Sequence, residues 1–357
     1  MAAGCYNASV WCDTFKVKSQ SRKINVYSGN EPVPKKITNW SYQLLRISLP
    51  GGLLLFLLLT APQWAAAETL ADMLREVRST QVSVPEKDIE KAPLPSAAEL
   101  ALAKKLFQRV FSGENNSELR QQWESLGFGL IEKTSETGPL LVLRERDEGT
   151  KKYDGKGFFV FAIDQESTTV LQVPHSFHDA ETDIIALELM AKNNFRAAAW
   201  NTSPAELPVH SPLSPDSRTP PAKGYMLAFT RALMAIDPDS YVMQLHSFDK
   251  NNVYTPNASH ADIILSGYGE QSSPAIGWLG RCLKKELDYK VRIFPFEVQE
   301  MGAGDNMPGA NYSAVGELMQ AENNQGFVYF VMGSMFREEL RSYHQVQEKL
   351  FACLSRE

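Results

Sequence analysis

The chain predicts an α/β fold, a three-layer sandwich built on a mixed, mostly parallel sheet and preceded by a short helical N-terminal segment. Three observations predict it. From Pro139 onward, short apolar runs alternate with stretches of helical periodicity, the pattern of strands crossed by helices. The turn-rich Lys152-Tyr-Asp-Gly-Lys-Gly157 separates the first two runs, so the sheet opens with a hairpin. The last run, Phe327 to Met332, is apolar without alternation, as a strand buried on both faces must be.

Taken in order, residues 68 to about 98 are polar with prolines at 85, 93 and 95, and read as a tether. Ser96 to Phe111 is a helix: Ser96 caps it, Glu99 stands where a capping box requires, and Leu100, Ala103 and Phe107 repeat at helical spacing. Leu119 to Leu126 is a second, shorter helix. Strands follow at Leu140–Leu143, Gly157–Ile163 and Thr168–Val173, then a helix from Glu181 to Asn193 and a strand near Arg196 to Trp200. A proline- and serine-rich stretch runs from there to Lys223. A loop of that length inside a compact domain is functional or disordered, and this one leaves a strand end on the edge where His175 lies. The remaining expected elements are a helix from Ala222 to Met234, strands at Tyr241–Leu245 and Asp262–Ser266, a helix at Ala275–Leu287, a strand at Lys290–Phe296, the strand ending at Met332, and a closing helix from Arg337 to Leu354. The organisation is therefore a leader over 1–67, a linker and helical segment over 68–135, and an α/β domain over 136–357.

The leader has the three parts of a secretory signal: Lys35, Lys36 and Arg46, then Gly51-Gly-Leu-Leu-Leu-Phe-Leu-Leu-Leu-Thr60, then Ala65-Ala66-Ala67. The apolar core is short of the roughly 20 residues a membrane-spanning helix needs, so no stable span is expected after cleavage, and the expected location is periplasmic or secreted. Residues 1–34 make the n-region unusually long and are expected to have no structural role. The formal net charge is −6. No basic stripe and no zinc-finger spacing interrupts it, which argues against a nucleic-acid partner. Of four cysteines, Cys5 and Cys12 precede the signal. Cys282 and Cys353 would meet an oxidising compartment, and a disulfide or two buried thiols are equally open.

The chemistry concentrates in two segments, Val173 to Thr182 and Val242 to Asp249. In each, a buried strand ends on a histidine and the chain turns polar, which puts imidazoles and carboxylates at the carboxyl edge of the sheet. Three of the six histidines fall here. His175 and Asp179 stand one helical turn apart and can face the same way. His246 would complete a three-ligand site for Zn2+ with one position left for water. His178 is an alternative ligand, paired with Glu181 at His-x-x-Glu spacing. Bound zinc would acidify that water and polarise a carbonyl, and a neighbouring Glu or Asp would move the proton. A strand-end histidine that only bonds a neighbouring loop is the plainer alternative. His210, His260 and His344 are read as loop, turn and helix-surface residues.

The order hairpin, Pro174-His-x-Phe-x-Asp-x-x-Thr182, helix, strand ending near Asn201-Thr202, long loop, helix, then Gln244-Leu-His-x-Phe248 resembles a group of bacterial zinc hydrolases related in fold to N-formylglutamate amidohydrolases and zinc carboxypeptidases. The resemblance spans about residues 136–355. It implies an exported amidohydrolase or peptidase acting on small N-acyl amino acids or cell-wall peptides, with His175, Asp179 and His246 as metal ligands. By this resemblance His178 is at a variable position and Glu181 is not a ligand. Of the group's late motif, Gly302, Ala303, Asn306 and Gly309 remain, while its arginine is Ala310. Where the group's last strand carries a proton-shuttling glutamate, this chain has Val331, which cannot transfer a proton. Another carboxylate then serves, Glu181 or Asp249 being nearest in sequence, or the alignment slips, or the chain is a pseudo-enzyme that binds without hydrolysing. Asn201, Arg218 and Asn306 are the expected substrate contacts. Arg218 and Arg281 could each pair with a substrate carboxylate, and both read equally well as surface charges.

Overall fold

The computed structural model describes residues 69–80, 95–146, 155–163, 167–192, 195–203, 224–269, 273–304 and 307–354. The expected leader and signal, with Arg218, Asn306 and His210, lie outside the described residues. The elements, in chain order, are α1 (Leu70–Thr80), α2 (Ala97–Phe111), α3 (Ser117–Ser125), β1 (Phe128–Ser135), β2 (Gly138–Glu145), β3 (Phe158–Ala162), β4 (Thr169–Val173), α4 (Thr182–Lys192), β5 (Ala197–Trp200), α5 (Tyr225–Ile236), β6 (Tyr241–Phe248), β7 (Ile263–Ser266), α6 (Pro274–Glu286), β8 (Val291–Ile293), β9 (Gly302–Ala303), β10 (Ala310–Asn311), α7 (Ala314–Ala321), β11 (Phe327–Gly333), α8 (Ser334–Ser342) and α9 (His344–Leu354).

Among the described residues, nine strands form one mixed sheet in the order β1-β2-β3-β5-β4-β6-β11-β7-β8. Its central block, β5-β4-β6-β11, is parallel throughout, and antiparallel pairs flank it. The expected hairpin is the β2–β3 pair. Alternate residues of the strands feed two cores. One face packs Leu171, Val173, Met243, Leu245 and Phe330 against α1, α4, α6, α8 and α9. The other packs Val170, Val242, Tyr329 and Val331 against α2, α3, α5 and α7. Helices on both faces of one sheet give the three layers, and they are why the central strands read as continuous apolar runs.

Several elements depart from the sequence reading. Residues 70–80 are helical, and Met73 and Leu74 are wholly buried against the first core, so that part of the expected tether is packed structure. The sheet begins at Phe128, inside the stretch read as helical, because Phe128 through Ser135 pairs residue for residue with β2. Phe107 of α2 and Trp123 of α3 pack against each other in a tilted contact, Phe107 also against Phe159 and Trp123 edge-on against Phe128, which fastens both helices to the sheet. The capping box at α2 is half formed. The Ser96 hydroxyl accepts from the Glu99 amide, but the Glu99 carboxylate takes the Tyr225 phenol instead. The closing helix is two, broken at Tyr343, whose extended backbone ends α8. Cys282 of α6 and Cys353 of α9 form a disulfide, which settles the alternative in favour of pairing. No helix among the described residues is long and apolar enough to cross a membrane.

Candidate metal centre

β4 sits between β5 and β6. The chain leaves β4 for β5 on one side and then crosses to β6 on the other. The crevice at the carboxyl ends of β4 and β6 is therefore the topological switch point of the sheet, where open α/β folds bind ligands. His175 follows β4 after one residue, Pro174. Pro174 ends the ladder, and the chain folds into a tight turn in which the amides of His178 and Asp179 both donate to the His175 carbonyl at 3.0 Å. The Ser176 hydroxyl donates back to the Val173 carbonyl, and the Thr182 hydroxyl to that of Asp179. This turn brings Asp179 inward.

His246 does not end its strand as expected. β6 runs on to Phe248 because β11 continues to pair with it, Val331 opposite His246 and Gly333 opposite Phe248. The imidazole lies on the second core face, only 5 % exposed. It stacks on the Tyr329 ring with centroids 4.0 Å apart. Its Nδ1 meets Asp179 Oδ2 at 3.0 Å, and its ring centroid is 5.3 Å from that of His175. Burial works to raise the pKa of Asp179. The hydrogen bond and charge of His246, the charge of His175 and the Ser247 amide outweigh it, so the carboxyl titrates below its ordinary value.

The other expected site residues take no part in this contact. His178 is exposed on the turn. Glu181 is committed to ion pairs, with Arg341 Nη1 at 2.6 Å and Arg337 Nε at 3.7 Å, so a guanidinium occupies the carboxylate that a general base would need free. Its backbone is left-handed, φ 65°, an uncommon conformation for glutamate. Asp249 is exposed and accepts from the Asn251 amide and side chain. Asn201 is a clip: it donates to the Pro174 carbonyl at 2.9 Å and accepts the Ser203 hydroxyl at 2.7 Å, fixing the start of the histidine turn. Arg281 is exposed on α6. Val331 is buried, as a core residue of β11.

Three features were not read from the sequence. Arg337, one turn into α8, is only 7 % exposed and donates from Nη1 to the carbonyls of Phe248 and Met332, at the ends of β6 and β11. Burial lowers its pKa, opposed by the charges of Glu181, Asp179 and Asp249. A buried amide chain crosses beneath the site: Gln244 donates to Gln172 at 3.1 Å, Gln172 to Thr230 at 2.9 Å, and Ser313 to Gln244 at 2.8 Å. The retained glycines of the late motif also have a steric reason. A Cβ on Gly302 would lie 2.1 Å from the Phe294 ring, and one on Gly309, with φ +74°, 2.1 Å from the Gln299 carbonyl.

Among the described residues no group of three His, Cys, Asp or Glu side chains is gathered as a ready ligand set. What the structure brings together is the His246–Asp179 pair with His175 beside it. A cavity of about 200 Å³, lined by Tyr241, Trp278 and Leu354 among others, lies at the amino ends of β4 and β6, the edge opposite the histidines.

No protein-family model matches the chain, and no curated protein matches it. Solved structures with a similar course include an N-formylglutamate amidohydrolase from Ralstonia eutropha, at 13 % identity and TM-score 0.38, covering 57 % of this chain and 96 % of that one. A candidate metallopeptidase from Shewanella denitrificans is similar at 10 % identity and TM-score 0.34, over 66 % and 88 % of the two chains. A metallo-carboxypeptidase from Burkholderia cenocepacia is similar at 9 % identity and TM-score 0.29, over 67 % of each chain.

Proposed function

We propose that this chain is an exported metal-dependent amidohydrolase or peptidase, with His175, Asp179 and His246 holding Zn2+. The observation that carries the reading is the meeting of Asp179 and His246 beside His175 at the switch point. Two donor atoms about 2.1 Å from one tetrahedral ion lie about 3.4 Å apart, and two imidazoles bound to it have centroids about 5 Å apart. The observed separations, 3.0 Å and 5.3 Å, are close to these spacings and support the reading. Imidazole and carboxylate are also the donor types zinc takes. Bound there, the ion would supply an acidified water and a polarised carbonyl.

The chain's own residues do the rest. Asn201 fixes the turn, Tyr329 fixes the His246 ring, and the lowered pKa of Asp179 keeps that carboxylate ionised for a cation. Export is supported by the Cys282–Cys353 disulfide, which persists in oxidising compartments. A small amide or N-acyl amino acid substrate is the expectation from the motif resemblance.

A second reading, metal-dependent binding without turnover, draws on Val331 at the expected shuttle position and on the ion-paired state of Glu181. One experiment separates the two. Metal is measured in the purified exported form, in His175→Ala, in His246→Ala and in Asp179→Asn, and each is then assayed on a panel of N-acyl amino acids and muropeptides. The expected result is stoichiometric zinc in the parent, its loss in each variant, and metal-dependent hydrolysis. Zinc without hydrolysis supports the binding reading. Zinc retained in both histidine variants overturns the site.

A further inference from the structure

We propose that Arg337 is a positioning residue: anchored on the carbonyl ends of β6 and β11, it gathers Glu181 and so holds the 175–182 turn with Asp179 against His246. The geometry has three parts. One end of the guanidinium is fixed, with Nη1 2.6 Å from the Met332 carbonyl and 3.3 Å from that of Phe248. Both acceptors belong to the parallel strands that carry His246 and its stacking partner Tyr329. The Nε edge faces Glu181 Oε2 at 3.7 Å, and Arg341, one turn further along α8, takes Oε1 at 2.6 Å. Glu181 closes the same turn that presents Asp179, in a left-handed conformation that a non-glycine residue keeps only where its surroundings hold it. On one helix face, Arg341 bonds that carboxylate directly and Arg337 faces it at ion-pair distance. A planar fork suits Arg337's place, because it must meet carbonyls and a carboxylate in different directions at once, which an ammonium does less well.

The inference rests on the metal-site reading for its readout, and the sign of the effect separates it from a plain charge effect. Asp179, Glu181 and Asp249 carry three negative charges, and Arg337 and Arg341 carry two positive ones. Removing the Arg337 charge makes the pocket more anionic, which by itself tightens cation binding. Removing a positioning group loosens it, and supporting partners of metal ligands are typically worth about 10–100-fold in affinity.

The test is zinc affinity by chelator competition, well below the melting temperature, for Arg337→Met, Arg337→Lys, Glu181→Gln and the Arg337→Met/Glu181→Gln double variant. We expect a drop of about 10-fold or more for Arg337→Met, partial recovery with Lys, and a double variant no worse than the weaker single. Glu181→Gln changes a partly exposed side chain and keeps the experiment readable if Arg337→Met does not fold. Unchanged or tighter zinc binding in Arg337→Met and Glu181→Gln overturns the positioning role while leaving the site intact. No zinc in the parent protein sinks the site reading instead. The clamp is then read by amide hydrogen exchange at Asp179 and Thr182, which Arg337→Met should speed and which unchanged exchange would refute.

Discussion

Gln244→Leu tests how tightly the strand carrying His246 is held by the polar chain beneath it. Gln244 is buried. It donates to the Gln172 oxygen and accepts from the Ser313 hydroxyl. Leucine of similar size would leave an acceptor on Gln172 and a donor on Ser313 unmet, at about 1–2 kcal/mol each, so about 2–4 kcal/mol in all. Gln172→Leu alone strands the Gln244 amide hydrogens and removes the donor to Thr230, at about 2–3 kcal/mol. In the double variant the Gln172–Gln244 contact is gone from both sides. Only Ser313 loses a partner outright, since Thr230 still donates to the Met226 carbonyl. The double variant should cost about as much as one single, which makes the pair non-additive by about 2 kcal/mol. Urea denaturation of the four proteins, with m-values compared, measures this. Additive losses, or a Gln244→Leu that melts like the parent, would refute the idea that these amides satisfy one another.

Reduction of the Cys282–Cys353 disulfide, or its replacement by two alanines, releases a loop of 71 residues. The chain-entropy model sets the loss at about 4 kcal/mol. A melting temperature unmoved by reductant would show that α9 holds to α6 without the link. Glu300 accepts the amides of Tyr254 and Thr255 and the Thr255 hydroxyl. Burial works to raise its pKa, and these bonds overcome it and lower it. A depressed carboxyl stabilises the fold fully above its unfolded value and loses that contribution as pH falls through the folded one. Glu300→Gln should therefore flatten the acid limb of the stability curve below about pH 4. An acid limb identical to the parent's assigns the loss to other carboxylates.

The α/β class and the central strands were legible because burial on both faces leaves long apolar runs that no exposed element can imitate. α1 is legible too, since Leu70, Met73, Leu74 and Val77 repeat at helical spacing, but the prolines beyond it read as a tether. β1 alternates weakly, with half of its residues part-exposed, and its strand character comes from pairing with β2. The break at Tyr343 carries no glycine or proline to announce it. In the site, the one-turn spacing of His175 and Asp179 was visible, and so was the strand that delivers His246. The reach of β6 past His246 was not, because it depends on β11 as a neighbour. Nor was the fate of Glu181, whose partner Arg341 is 160 residues away. A carboxylate beside histidines looks the same in sequence whether it is free to accept a proton or held in an ion pair.

Val331 bears on this. Its register opposite His246 and its burial in the second core give valine a packing role that a carboxylate could not fill without losing water or displacing neighbours. The charge at this edge of the sheet enters from elsewhere. Gly333 ends β11 and caps α8, so the first turn of that helix carries Arg337 back over the strand ends, and the second carries Arg341 on the same face. The three carboxylates come from the β4–α4 turn and the end of β6, and α8 answers them with two guanidiniums. What β11 contributes to the site is therefore a stacked ring, Tyr329, and one turn past its end a buried cation, with no acid between them.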